Sequence, residues 1–285
     1  MRIAVLSGKG GTGKTLVSVN LAAAAGEATY IDCDVEEPNG HLFFRPEMVH
    51  TQEVFIPIPM VDAGRCSGCR KCTNFCKFNA LAYARNKVLV FEEVCHSCGG
   101  CVLLCPEGAI TEREKSIGSI QTGLSGSVTV CTGMMNVGEA SGVGVIRRLL
   151  EGSVSDAPLT FIDCPPGSAC TVMESIRDTD YCVLVAEPTV FGVHNLAMVC
   201  DLVALFHIPY GVILNKCLDQ PNPAEAFCIV RGIPILGSIP YDSELGNLNA
   251  SAQIAARESD RYRALFSTLL QTVAKEAQHE AACHP

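Results

Sequence analysis

Between Cys66 and Cys105 the chain places eight cysteines in two runs, and each run reads C-x2-C-x2-C-x3-C. The first run, Cys66, Cys69, Cys72 and Cys76, realigns on the second, Cys95, Cys98, Cys101 and Cys105, at an offset of 29 residues. The tails repeat too, Asn79-Ala80-Leu81 against Gly108-Ala109-Ile110, so the segment is an internal duplication. Two-residue gaps let a tight loop wrap three thiolates around three corners of a metal-sulfur cubane, and the fourth ligand must then come from elsewhere. Zinc is the competing reading, because C-x2-C pairs often hold it. Zinc takes four ligands, however, and does not call for two runs of four at identical spacing. Seventeen cysteines would suggest disulfides in a small secreted protein, but this chain has 285 residues. Met1-Arg2-Ile3-Ala4-Val5-Leu6 run directly into a glycine-rich loop, which leaves no room for a leader. No apolar run reaches the roughly 18 to 20 residues of a membrane span. The expectation is a cytoplasmic protein with reduced thiols and no membrane partner.

The two runs resemble those of the bacterial two-cluster ferredoxins, in which the fourth cysteine of each motif ligates the other cluster. On that resemblance one [4Fe-4S] cluster takes Cys66, Cys69, Cys72 and Cys105, and the other takes Cys95, Cys98, Cys101 and Cys76. Pro106 follows the last cysteine of the second motif, whereas Lys77 replaces that proline in the first. An inserted ferredoxin-like domain is expected at 61–112, between flanking pieces 1–60 and 113–285 that make one ATPase domain. The other cysteines, at 33, 131, 164, 170, 182, 200, 217, 228 and 283, show no such spacing and are expected mostly as small core residues.

The flanking pieces alternate apolar strands with helices. Ile3 to Leu6 reads as a strand, Leu16 to Ala25 as a helix closed by Gly26, and Ala28 to Ile31 as a strand ending in Asp32-Cys33-Asp34. Pro38, Pro46, Pro57 and Pro59 are then expected to break regular structure. Alternation resumes with strands at 127–131, 159–162, 181–186, 210–214 and 235–239, helices at 144–150, 195–206 and 224–230, and a terminal amphipathic helix over 260–282. The fold class is α/β, a P-loop NTPase with a mainly parallel sheet covered on both faces. Between the first strand and helix, Gly8-Lys9-Gly10-Gly11-Thr12-Gly13-Lys14-Thr15 satisfies G-x-x-x-x-G-K-[ST]. In that context the glycines bring backbone N–H groups to the phosphates of ATP or ADP, Lys14 neutralises them, and the Thr15 hydroxyl ligates Mg2+. A net charge of -9 disfavours nucleic acid as a partner.

Lys9 resembles the signature lysine of the deviant Walker ATPases, which include MinD, ParA, Mrp/ApbC and the nitrogenase iron protein. The resemblance implies a homodimer in which Lys9 reaches the partner's nucleotide. It likens Asp32-Cys33-Asp34 to the first switch, with Asp34 orienting the attacking water. Phe161-Ile162-Asp163-Cys164-Pro165-Pro166-Gly167 is similar to the second switch, with Asp163 serving Mg2+ through its water shell. Asn215 falls where the family reads adenine, and Ile239-Pro240-Tyr241 resembles the loop closing over the base. Cys170 stands seven residues after Asp163, the offset of an interface cluster ligand in the nitrogenase iron protein. Its counterpart near Ala140 and Ser141 lacks a cysteine. The insertion and the segment Asn136-Val137-Gly138-Glu139-Ala140-Ser141-Gly142 resemble a MinD-like branch carrying a ferredoxin domain. The implied function is an ATPase that couples its nucleotide cycle to electron transfer to or from a redox partner. The alternatives are an iron-sulfur cluster carrier of the Mrp/ApbC type and a positioning ATPase of the MinD/ParA type.

Overall fold

The computed structural model describes residues 1–153 and 157–283, with side chains through residue 280. β1 (Arg2–Leu6) leads into α1 (Lys14–Ala25), followed by β2 (Ala28–Asp32) and α2 (Gly40–Phe44). β3 (Glu47–Val61) runs out to a small unit made of α3 (Lys71–Phe75), the hairpin β4 (Leu81–Ala84) and β5 (Lys87–Val90), and α4 (Gly100–Leu103). β6 (Ile110–Ser125) runs back, and β7 (Val128–Met135), α5 (Val143–Gly152), β8 (Thr160–Asp163) and α6 (Cys170–Ile176) follow. The chain closes with β9 (Tyr181–Ala186), α7 (Val190–Leu205), β10 (Tyr210–Cys217), α8 (Pro223–Arg231), β11 (Ile235–Pro240), α9 (Ser243–Ala250), α10 (Ala255–Glu258) and α11 (Asp260–Cys283).

Nine strands form one sheet in the order β11-β10-β9-β1-β8-β2-β7-β6-β3. From β11 to β7 every neighbouring pair is parallel, whereas β6 and β3 are antiparallel additions at one edge. The central strands are apolar on both faces because each face is covered by helices. On β1, Ala4 and Leu6 point into the core beneath α5, α6, α7 and α8, while Ile3 and Val5 point into the core beneath α1, α9, α10 and α11. α11 is seated by Tyr262, Phe266, Leu269, Val273 and Ala277, all at most 4% exposed, which form one helical stripe.

Pro57 and Pro59 lie inside β3 and do not break it, contrary to the expectation from sequence. β3 is the last strand of the sheet, and residues two apart on an edge strand share the side that donates to no neighbour, so neither missing N–H is felt. β3 pairs with β6 from Glu47↔Leu124 to Val61↔Ile110, but β6 pairs with β7 only over Gly118–Ser125. The remaining stretch, 55–61 against 110–116, is therefore a two-stranded arm that projects past Met135 at the C-terminal end of β7. Since β7 is parallel to β2, β8 and β1, the arm leaves the sheet at the edge where their C-terminal loops gather. Ile56 and Ile117 pack under its root near Gly144 at the start of α5.

The unit at the tip has its own small core of Cys72, Leu81 and Ile110 with Val61, Val88, Val90 and Val102 around them. Its duplication is visible in the backbone. Gly68 and Ser97 take φ of 70° and 51°, Arg70 and Gly99 take 61° and 69°, and Asn79 and Gly108 take 55° and 53°. Each pair is related by the 29-residue offset, so both copies require left-handed turns at the same three places. One copy supplies glycine at each turn, and the other holds a larger residue there. α3 and α4 start at equivalent positions, Lys71 and Gly100.

Candidate functional site

At the C-terminal edge of the sheet a cavity of about 590 Å3 is lined by Lys9, Gly10, Gly11, Gly13, Lys14 and Thr15 from the loop after β1. Asp34 closes it from the end of β2, and Asn215, Pro240 and Tyr241 close it from the ends of β10 and β11. Gly8, Thr12 and Asp163 lie behind this wall. Gly8 permits a close approach to α7, since a Cβ there would stand 2.2 Å from the Asn195 carbonyl oxygen. Thr12 is 3% exposed, and its Oγ1 is a buried hydroxyl with no hydrogen-bond partner. A buried polar atom left over in a glycine-rich loop at a helix N-terminus suits a phosphate or its hydrated Mg2+.

Asp163, 1% exposed, accepts hydrogen bonds from Lys14 Nζ and, at 2.9 Å, from the Tyr30 hydroxyl. Burial alone would lower the Lys14 pKa, but the carboxylates of Asp163, Asp32 and Asp34 reverse the effect and leave it raised. Tyr30 is shifted well up, first by burial and then by Asp163. Asp32 accepts backbone N–H bonds from Asp34 at 3.1 Å, Asn39 at 3.0 Å and Gly40 at 2.8 Å, which folds the 33–40 loop back over the site. Burial and the Asp163 charge raise the Asp32 pKa against those donors. Asp34, partly buried, is pushed up to about 6 by burial, with Lys14 pulling the other way.

Lys9 lies against its own chain, paired with Glu187 at 2.7 Å. Glu187 also accepts from Lys216 Nζ at 2.6 Å, and Lys216 donates to the Gly11 carbonyl at 2.7 Å. Burial raises the Glu187 pKa, but the hydrogen bonds from Lys216 and Lys9 outweigh it and hold the carboxyl below its ordinary value. Asn215 is 2% exposed, donates from Nδ2 to the Thr12 carbonyl at 2.7 Å and accepts the Lys216 N–H at 2.9 Å. Asn215 lines the cavity, as the adenine reading expected of it requires, and its amide braces the phosphate loop. Tyr30, Glu187 and Lys216 were missed by sequence reasoning. Lone residues at strand ends carry no spacing signal, and only the placement of Glu187 directly after an apolar strand at this edge hinted at it.

The eight cysteines of the tip unit divide between two cavities. One is lined by Cys66, Cys69, Cys72 and Cys105, and the other by Cys76, Cys95, Cys98 and Cys101. Each set draws three thiols from one motif and the fourth from the other. The second cavity measures about 250 Å3, whereas the first, at about 20 Å3, must widen to admit anything larger than water. The Ala109 N–H donates to Cys105 Sγ at 3.3 Å. Among the described residues no three Cys, His, Asp or Glu side chains close around a single metal ion. Of the remaining cysteines, Cys33, Cys131, Cys164, Cys182, Cys200 and Cys228 are buried and Cys217 is partly so, but Cys170 is exposed at the start of α6. The Cys283 side chain lies outside the described residues.

No helix among the described residues is long and apolar enough to cross a membrane. An uncharacterized protein of Methanocaldococcus jannaschii is 31% identical over 221 residues, 76% of this chain and 80% of that one. A shorter match, 38% identical over 48 residues, covers 17% of this chain and 18% of a component of the ion-translocating oxidoreductase complex of Methanosarcina acetivorans. Among solved structures, the septum site-determining protein MinD of Pyrococcus horikoshii, complexed with Mg-ADP, superimposes with a TM-score of 0.61 at 18% identity, covering 95% of each chain. Residues 3–254 match the CobQ/CobB/MinD/ParA nucleotide binding domain. The chain belongs to that family of P-loop proteins.

Proposed function

We propose that the chain is an ATP-hydrolysing iron-sulfur protein that works as a homodimer and couples its nucleotide cycle to electron transfer. One observation carries this reading: the eight cysteines fall into two sets of four, on an arm that leaves the sheet at the edge holding the phosphate loop. A cubane takes one thiolate per corner, which suits thiols spread around a cavity better than thiols converging on one ion. The two sets would hold two [4Fe-4S] clusters, which when bound store and release single electrons. For the nucleotide, Gly10, Gly11 and Gly13 present the loop's backbone to the phosphates, Lys14 neutralises them and Thr15 ligates Mg2+. Asp163 orients Lys14 and the hydrated metal, Asp34 faces the cavity where the attacking water would stand, and Pro240 bounds the base. Lys9 would leave Glu187 to reach the partner's nucleotide.

A second reading, a positioning ATPase, is favoured by the MinD fold neighbour. Anaerobic reconstitution separates the two. The redox reading expects about eight iron atoms per chain and a rate of electron exchange that changes with ATP. Absence of iron, or exchange indifferent to ATP and ADP, would leave the positioning reading. Transfer of iron and sulfide to an apo-acceptor would establish a cluster carrier instead.

A further inference from the structure

The tip unit is charged differently from the rest of the chain. Residues 62–109 carry six of the 21 Lys and Arg (Arg65, Arg70, Lys71, Lys77, Arg85 and Lys87) but only four of the 30 Asp and Glu (Asp62, Glu92, Glu93 and Glu107). From Lys, Arg, Asp and Glu alone the segment is +2 against -9 for the whole chain, and since two [4Fe-4S] clusters with their thiolates would each bring about -2, its attraction for an anion rests on where the bases stand. All six basic residues are exposed, and among the described residues none is ion-paired.

They are not spread evenly. Arg70 and Lys71 line the cavity of Cys66, Cys69, Cys72 and Cys105, as does Val88 of the hairpin. Arg70 lies 4.5 Å over the Tyr83 ring, and Tyr83 pairs with Val88 on the hairpin face turned to the cavity, whereas Lys87, one step along, points to the opposite face. Arg65 donates to the Glu107 carbonyl at 3.3 Å, beside the same cavity. Among the described residues Glu107 is the one carboxylate on its wall. The other cavity faces elsewhere. Its wall includes Pro57, Pro59 and Glu112 of the arm, so it is the one turned toward the nucleotide-binding body, with Lys77 alone among the bases.

We infer that the basic face around Cys66, Cys69 and Cys72 is the docking surface for an acidic electron-carrier protein. The inference rests on the redox reading above. In the step it serves, the carrier's one-electron centre is oxidised by one electron, and the group held by Cys66, Cys69, Cys72 and Cys105 is reduced by that electron. No covalent bond forms or breaks. A basic rim raises the encounter rate of an anionic partner and fixes which face it meets, and both effects weaken with salt.

The test uses the full-length reconstituted chain, reduced, and two small oxidants of opposite charge, the anion tris(oxalato)cobaltate(III) and the cation hexaamminecobalt(III). Lys71 is exposed, and its side chain makes no hydrogen bond among the described residues, so Lys71→Glu leaves the fold intact. The ratio of anion to cation oxidation rates at low salt is expected to fall about threefold or more in the variant and to converge on the wild-type ratio at high salt. A second readout needs no turnover: the redox-inert anion tris(oxalato)chromate(III) should broaden the amide resonances of residues 70 and 71 in the wild type and spare them in the variant. An unchanged rate ratio, with or without broadening, overturns the docking surface. Iron content is scored separately. About eight iron atoms with an unchanged ratio refutes the surface alone, whereas their absence refutes the clusters and the surface with them.

Discussion

The Lys9–Glu187 pair gives the most informative perturbation, because the proposed dimer requires Lys9 to leave it. The two side chains are 36% and 12% exposed and 2.7 Å apart. Exposed pairs contribute about 0.2–1 kcal/mol, and the partial burial of Glu187 puts this one near the top of that range, about 1 kcal/mol. That is a factor of about five in an equilibrium constant, and two latches opening per dimer multiply to roughly thirtyfold. Glu187→Gln removes the charge while keeping the size and one acceptor for Lys216. The expected result is a dimer that forms up to about thirtyfold more tightly with a non-hydrolysable ATP analogue and is unchanged with ADP, measured by sedimentation equilibrium. Glu187 is held below its ordinary carboxyl value, so the latch is intact above the unfolded-state pKa of about 4.3 and is lost only as the pH falls through the lowered folded value. Wild-type behaviour near neutral pH therefore reports the closed latch. If Glu187→Gln dimerises no better than wild type while Lys9→Ala abolishes dimerisation, Lys9 is needed in trans but is not restrained in cis, and the latch is refuted.

Gly13→Ala places a Cβ 2.1 Å from Asn215 Nδ2 at a φ of 94°. It should cost about 1–2 kcal/mol for the left-handed backbone and about 1 kcal/mol for the displaced Asn215–Thr12 bond, and in an Asn215→Ala background urea denaturation should read the backbone part alone. Additive costs would show that the two side chains do not meet. Tyr30→Phe removes one of the donors to buried Asp163 and should destabilise by about 1–3 kcal/mol in thermal melts, with no change if Lys14 alone satisfies the carboxylate. Lys115→Met breaks the pair with Glu139 at 2.9 Å. It leaves Glu139 partly buried and unpaired, so it should cost about 1–3 kcal/mol of stability and also reduce the response of electron exchange to ATP, and an unaltered response would remove this contact from the coupling.

The sequence made the phosphate loop and the cysteine runs legible because their chemistry demands fixed residue types at fixed spacings. The central strands were legible because burial on both faces leaves short apolar runs. The arm was not. Pro57 and Pro59 looked like breakers, and Thr111-Glu112-Arg113-Glu114-Lys115 shows no apolar alternation because a two-stranded ribbon away from the body has few faces to bury. α7 begins five residues before the expected Asn195, since the Thr189 side chain caps it by accepting the Gly192 N–H at 2.8 Å. Glu187 and Tyr30 act through three-dimensional neighbours that a linear reading does not reveal. Most of the isolated cysteines did behave as small core residues, and Cys170 departs from that pattern because it heads a short helix at the open edge.

On the proposed coupling, a change at the phosphates would reach the tip unit through hydrogen bonds that are already in place. The residue after Asp34 is Val35, whose carbonyl accepts the Met135 N–H at 2.9 Å at the end of β7. The next residue, Asn136, donates its N–H to the Ile117 carbonyl of β6 at 2.9 Å and its Nδ2 to Ser116 Oγ at 3.3 Å. Ser116 in turn donates to Glu53 on β3 at 2.6 Å, and Lys115 reaches Glu139, so the β6 strand of the arm is tied directly to the 136–142 segment and β3 only through Ser116. Val35 also leaves little slack, because a Cβ at Gly133 or Gly142 would stand 2.7 Å or 2.4 Å from its methyl groups. A close-packed contact of this kind passes on a displacement instead of absorbing it. A shift of the 34–37 loop toward a γ-phosphate would therefore move the end of β7, and the arm is fastened to that end by the hydrogen bonds of its β6 strand. On the proposed coupling, the arm's attachment beside the loop, more than the presence of cysteines, is what would give ATP a route to the tip unit.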